Sequence, residues 1–200
     1  MRIISAIRPV TTGTDEMTDE IEQRLRHDFE RDFPRRLERY ARSRVHQIIP
    51  DAYFDQASTE CRKMYVDGHF YGCITLAQSI AEGISKFLAQ KKNVRRCDHY
   101  ELVNRLRDHV PPVISPESHA GFVAIHGTGR DRNDFHHMNP IIEQDPVELE
   151  RRAFECIEAL YTIESDVFGF DMADGVPVLR DKDYFELASP TETFIYFRRG

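Results

Sequence analysis

The 200-residue chain is predicted to be an all-α helical bundle with a short C-terminal β-like appendage, and three observations carry that expectation. Apolar residues recur near a 3.6-residue period as far as about Phe170, helix start and stop residues stand at the ends of those runs, and strand-like composition gathers after Gly169. With 40% hydrophobic and 30% charged residues, the chain is neither wholly disordered nor collagen-like. At ~150 residues per domain, its length suits one compact domain.

An extended start is expected over residues 1–14. Residues 19–49 are polar and Arg-rich, with Leu25, Phe29, Phe33, Leu37, Tyr40 and Val45 as a narrow apolar stripe. They read as one helix or two, with Pro34 breaking or kinking the run. Pro50-Asp51 opens a helix that Gly68 is placed to end. Residues 69–91 set Phe70, Cys73, Ile74, Ala77, Ile80, Ala81, Ile84, Phe87 and Leu88 on a broad face, the best core helix in the chain. Asp98 and Glu101 have the spacing of a capping box before a short helix that Val110-Pro111-Pro112 ends. Ser115-Pro116-Glu117 starts the next, which runs to Gly127-Thr128-Gly129. A short helical piece at 130–138 ends before Asn139-Pro140, and Asp145-Pro146-Val147-Glu148 starts a long helix to about Phe168. Residues 176–179 and 193–197 are the strand-like runs of an acidic tail, suited to a small hairpin or an oligomer contact. The organisation is thus an N-terminal extension with an Arg-rich helix (1–49), a helical domain (50–170) and a tail (171–200).

Charge is uneven. The formal net charge is −7, yet residues 23–46 hold eight Arg against four acids, residues 91–107 hold six Lys or Arg against two, and residues 143–192 hold fourteen acids against four bases. The total disfavours indiscriminate coating of nucleic acid and permits a local basic groove. Of 27 basic residues 22 are Arg, the side chain suited to bidentate phosphate contacts; codon usage is the plainer explanation. The four cysteines stand far apart with no paired spacing, and read as reduced core thiols. The start lacks the apolar length of a secretory signal, so a cytoplasmic location is the default expectation. The most apolar run, 70–88, includes Gln78, Glu82 and Lys86, costly in a bilayer, so no membrane span is expected.

No Walker loop, dinucleotide loop, GxSxG elbow or HExxH motif occurs. His126, His136 and His137 could be imagined around a metal, but Gly127 and Gly129 interrupt the helical spacing, and neither metal nor cofactor is expected. The informative stretch is Arg130-Asp131-Arg132-Asn133-Asp134-Phe135-His136-His137. On a short helix Arg132 lies one turn from His136 and about a turn and a half from His137, with Asn133 adjoining the same face as His137, so a guanidinium, an amide and an imidazole can converge. That set suits metal-independent RNA cleavage: imidazole takes the 2′-hydroxyl proton while the two donors hold the phosphate. Pairing of Arg132 and the histidines with Asp131 and Asp134 at a polar helix start accounts for the same residues without chemistry.

Arg132-Asn133-Asp134-Phe135-His136-His137 also resembles the arginine–polar–histidine motif of the higher eukaryotes and prokaryotes nucleotide-binding (HEPN) superfamily, with Asn133 as the polar residue. The upstream stretches from Tyr53 to Ala57, from Tyr65 to Gly72 and from Leu76 to Glu82 resemble the helix pair preceding that motif. The likeness covers roughly residues 50–170. It implies a HEPN-type bundle of four to five core helices, dimerised so that two Arg132/His137 pairs share a cleft. It further implies an RNase acting as a toxin or phage-defence effector, with RNA and an antitoxin or defence-system protein as partners. Noncatalytic interaction or nucleotide-binding modules share the superfamily and form the alternative. The expected catalytic residues are Arg132, Asn133 and His137. His136, Arg130 and Glu82 stand second, Glu82 because an acid in the most apolar helix needs a partner that a basic motif residue could supply; an exposed helix edge explains it equally.

Overall fold

The computed structural model describes residues 12–43, 48–49, 54–95, 97–126, 135, 145–174, 176–180 and 196–197. Over these residues the protein is mostly helical, with helices α1 (Thr12–Arg42), α2 (Asp55–Asp67), α3 (Phe70–Lys91), α4 (His99–Asp108), α5 (Pro116–His126) and α6 (Pro146–Val167). By their internal contacts the residues fall into two units, Met1–Glu38 and Arg39–Gly200. The division lies inside α1.

The first unit contains most of α1. Thr12–Thr14, expected as extended, are helical, and the helix continues through Pro34. Proline removes one backbone donor and crowds the carbonyl four residues back, a cost that a 31-residue helix offsets with good helix formers on both sides. Its apolar residues Met17, Ile21, Leu25, Phe29, Phe33 and Leu37 are all exposed.

The second unit is the bundle. α3 lies at its centre: Cys73, Ile74, Ala77, Ile80, Ala81, Ile84, Leu88 and Ala89 are buried, as are Gln78 and Ser85 between them. A helix buried on this many sides needs partners all round, and α2, α4, α5 and α6 supply them. α6 packs most extensively on α5 and α3. Gly121 allows the close approach of α5, because a Cβ there would stand 3.1 Å from the Ala159 carbonyl oxygen and 3.2 Å from Ile163. Each buried Leu or Ile contributes ~1.5–3 kcal/mol relative to exposure, so α3 carries much of the unit's hydrophobic stabilisation.

Helix boundaries follow their caps. α2 closes in a Schellman motif: Gly68 has φ +84°, its N–H donates to the Tyr65 carbonyl at 3.1 Å, and the His69 N–H donates to the Met64 carbonyl at 2.8 Å. Asp98 accepts the Glu101 N–H at 3.0 Å, while the Glu101 carboxylate pairs with Arg105. Ser115 accepts the Ser118 N–H at 3.0 Å ahead of Pro116, and Asp145 accepts the Val147 N–H at 3.1 Å ahead of Pro146. Asp166 of α6 reinforces the start of α5 by accepting the Ser115 N–H at 3.0 Å and the Ser118 hydroxyl at 2.6 Å.

Extended backbone differs from expectation. Ile48–Ile49, expected as the end of the first helix, form strand β1; β2 (Phe170–Ala173) and β3 (Val176–Leu179) follow α6, and β4 is Tyr196–Phe197. β2 and β3 are antiparallel, with Phe170 opposite Leu179 and Ala173 opposite Val176, whereas β4 pairs with β1. Among the described residues the tail's two strand-like runs pair with β1 and β2 rather than with each other. Asp174 turns the β2–β3 hairpin at φ +53°, the left-handed conformation that an Asp-Gly turn uses. Arg180 then ties the hairpin back, its side chain bonded to Asp171 at 3.2 Å and to the Ser165 carbonyl at 3.1 Å. No helix among the described residues is long and apolar enough to cross a membrane.

Candidate functional site

Arg130, Arg132, Asn133, His136 and His137 lie outside the described residues, and Phe135 is the one member of the motif within them. Phe135 is helical and 5% exposed. Its ring lies 6.0 Å from that of Tyr71 on α3, and the Arg152 guanidinium of α6 stands 4.6 Å from its centroid. A buried aromatic held by two core helices is an anchor, and the cation over its face adds electrostatic attraction to the burial. Sequence reading did not single out Tyr71 or Arg152, because pairing between positions so distant in the chain leaves no local periodicity to find.

Glu82 lies on α3 with its side chain 19% exposed, and pairs with Lys86 one turn on at 2.7 Å. An i,i+4 pair of this order gives the acid one partner within its own helix.

His126 ends α5, immediately before the glycines that lead to the motif. It is buried, with its ring 3.7 Å from that of His99; His99 Nδ1 is 3.2 Å from the Ser85 hydroxyl of α3, and its ring is 6.1 Å from Phe122. The His126 imidazole is thus buried against His99 at the start of α4. Among the described residues no group of three or more His, Cys, Asp or Glu is arranged to hold a metal ion.

Three thiols form a second buried cluster. Cys61 and Cys73 have sulfurs 3.8 Å apart, and the Cys61 thiol donates to the Cys73 carbonyl at 3.3 Å. The hydrogen bond with Cys61, then burial, raises Cys73 well above the ordinary thiol range, and burial pushes Cys156 up to about 12. All four cysteines are free. Thiols held protonated in this way are poor nucleophiles and weak ligands, so the cluster serves packing.

The Arg-rich segments are partly committed to structure. Arg39 binds Glu150 and the Val66 carbonyl and stacks on Phe70; Arg42 lies 3.9 Å from the Phe154 centroid; Arg26 pairs with Glu22 at 2.7 Å. In the second segment Arg105 pairs with Glu101, and Arg107 with Asp108 at 2.7 Å. The Arg107 hydrogen bond holds the Asp108 carboxyl below its ordinary range. His119 sits beside Arg107 at 3.3 Å and Asn104 at 3.0 Å, and burial, followed by the Arg107 charge, lowers its pKa. These pairings reduce the local positive charge that either segment offers a polyanion.

No protein-family model, no curated protein and no solved structure matches the chain.

Proposed function

We propose that the protein is a metal-independent endoribonuclease of the HEPN type, acting as a homodimer in a toxin or phage-defence setting. The burial of Phe135 between Tyr71 and Arg152 carries the reading, since a functional motif on a short helix needs an apolar anchor to hold it on the bundle. The mostly helical unit around α3 also supports it, as does the run Arg132-Asn133-Asp134-Phe135-His136-His137.

In this reading His137 takes the proton from a ribose 2′-hydroxyl. The resulting 2′-oxygen attacks the adjacent phosphorus, and the bond to the 5′-oxygen breaks as that oxygen receives a proton. Arg132 holds the non-bridging oxygens as negative charge builds on them, and Asn133 positions the phosphate. The products are a 2′,3′-cyclic phosphate and a 5′-hydroxyl. An imidazole is competent as a base near neutral pH, and the guanidinium supplies the charge a metal would otherwise bring. The test is purified protein with end-labelled single-stranded RNA in EDTA. Fragments ending in 2′,3′-cyclic phosphate support the enzyme, and intact RNA at every protein concentration removes it.

A further inference from the structure

We infer that Gln78 of α3 is a positioning residue for the motif: one arm of its buried amide holds the end of α5, and the other accepts a hydrogen bond from residues 127–134, which lead from α5 into the motif. What the motif does rests on the ribonuclease reading; the contact itself does not.

Gln78 stands midway along a polar line on α3. Tyr71, Gln78 and Ser85 follow one another at steps of seven, and seven residues fall only ~20° short of two full turns, so the three share one face of the helix. Each meets the path from α5 to the motif at a different point. Ser85 lies 3.2 Å from His99 Nδ1, and the His99 ring lies against that of His126, the last residue of α5. Gln78 Nε2 donates to the Ile125 carbonyl at 3.3 Å, and the Tyr71 ring packs on Phe135. Both ends of the stretch 127–134 are therefore held on this face, at positions ~10 Å apart along α3.

The amide has one arm to spare. The Ile125 carbonyl belongs to the last four of α5, which no N–H of that helix satisfies, so Nε2 supplies its partner. A carbonyl only accepts, which assigns Nε2 to this contact and leaves Oε1 as the other arm. Gln78 is 0% exposed, and Oε1 has no hydrogen-bond partner among the described residues. Methionine would fill a similar volume without burying a bare acceptor, so glutamine is costly here unless a donor reaches it. The chain that joins the two held ends is rich in donors: residues 127–134 contain no proline, so all eight carry a backbone N–H, and Arg130, Arg132 and Asn133 add side-chain groups. Gln78 touches no substrate in this scheme. It acts through the segment, limiting the freedom with which Arg132 and His137 meet a phosphate.

Hydrogen exchange of the full chain, read by mass spectrometry on peptides covering 127–134, tests the contact without RNA. The expected result is protection in wild type that falls by about tenfold in Gln78→Met, while peptides from α2 and α6 exchange as before and helical circular dichroism is kept. Burial favours the protonated form of Gln78→Glu, whose carboxyl supplies a donor and an acceptor from the same positions, so this variant should retain most of the protection. With RNA, Gln78→Met should lower kcat by about 10²-fold and leave KM within about twofold. Unprotected exchange through 127–134 in wild type overturns the inference, as does equal protection of that segment in wild type and Gln78→Met. A Gln78→Met protein that loses protection equally in every helix would mark Gln78 as core filling and overturn it too. Wild-type protein that leaves RNA intact while Gln78→Met releases 127–134 removes the ribonuclease reading and supports the contact.

Discussion

Arg39, in the last turn of α1, grips Glu150, in the first turns of α6, with both arms of its guanidinium: Nε to Oε1 at 3.1 Å and Nη2 to Oε2 at 3.2 Å. The Arg39 side chain is 11% exposed, and the same fork reaches the Val66 carbonyl at 3.4 Å while its plane lies over Phe70. One residue thereby joins the end of α1, the α2–α3 turn and α6. Arg39→Ala is expected to lower the unfolding free energy by about 1–3 kcal/mol, the range for losing hydrogen bonds to a charged group. Arg39→Lys should recover only part of it, because an ammonium cannot bind both carboxylate oxygens in one plane and stack on a ring. Urea unfolding measures both; a lysine variant as stable as wild type would contradict the two-point grip.

The buried thiols give a second expectation. Cys61, Cys73 and Cys156 are at most 2% exposed, with Cys73 and Cys156 held protonated, while Cys97 is partly exposed. A thiol-specific reagent at mildly alkaline pH should modify Cys97 ahead of the other three, which should react only as the chain unfolds. Rapid native-state modification of Cys61 or Cys73, located by peptide mass mapping, would contradict the packing of α2 on α3.

His119 makes stability depend on pH. Burial and then the neighbouring Arg107 lower its pKa below the ordinary 6.5, so the folded protein favours the neutral ring. As pH falls below 6.5 the unfolded chain binds the proton first, and the contribution, intact above that value, declines on the acid side. His119→Gln should flatten the fall in urea midpoint over that interval. An equal fall in both proteins would show that His119 does not contribute to it.

Phe135→Ala should cost about 3 kcal/mol, the lower range for emptying a buried phenyl site. If the ring anchors the motif, RNA cleavage should fall more than the folded fraction does, and Phe135→Leu should recover most of both. Stability equal to wild type in the alanine variant would remove the anchor.

Local signals were the legible part of the fold. Gly68, Asp98, Ser115-Pro116 and Asp145-Pro146 announce helix ends because a cap is read within a few residues, and the buried face of α3 follows from its period. Arg39–Glu150 was not legible, since the partners are 111 residues apart and each looks like a surface charge in its own segment. The β2–β3 hairpin was missed although Asp174-Gly175 carries its turn signal, because the preceding residues were read as acidic loop. The apolar row of α1 was visible as a stripe, but periodicity cannot tell a stripe facing a core from one left exposed. Of the candidate site, sequence supplies the residue types and spacing from Arg132 to His137. Its attachment through Tyr71 and Arg152 required the fold.

The most direct measurement is the single-turnover rate of single-stranded RNA cleavage in EDTA by wild type, Arg132→Ala, His136→Ala and His137→Ala, each checked for folding by circular dichroism. The account expects loss of about 10²–10⁴-fold in the His137→Ala variant, the usual contribution of a positioned acid–base group, with a comparable loss for Arg132→Ala and near-wild-type cleavage by His136→Ala. Cleavage by His137→Ala at the wild-type rate, or no cleavage by the wild-type protein, would contradict it.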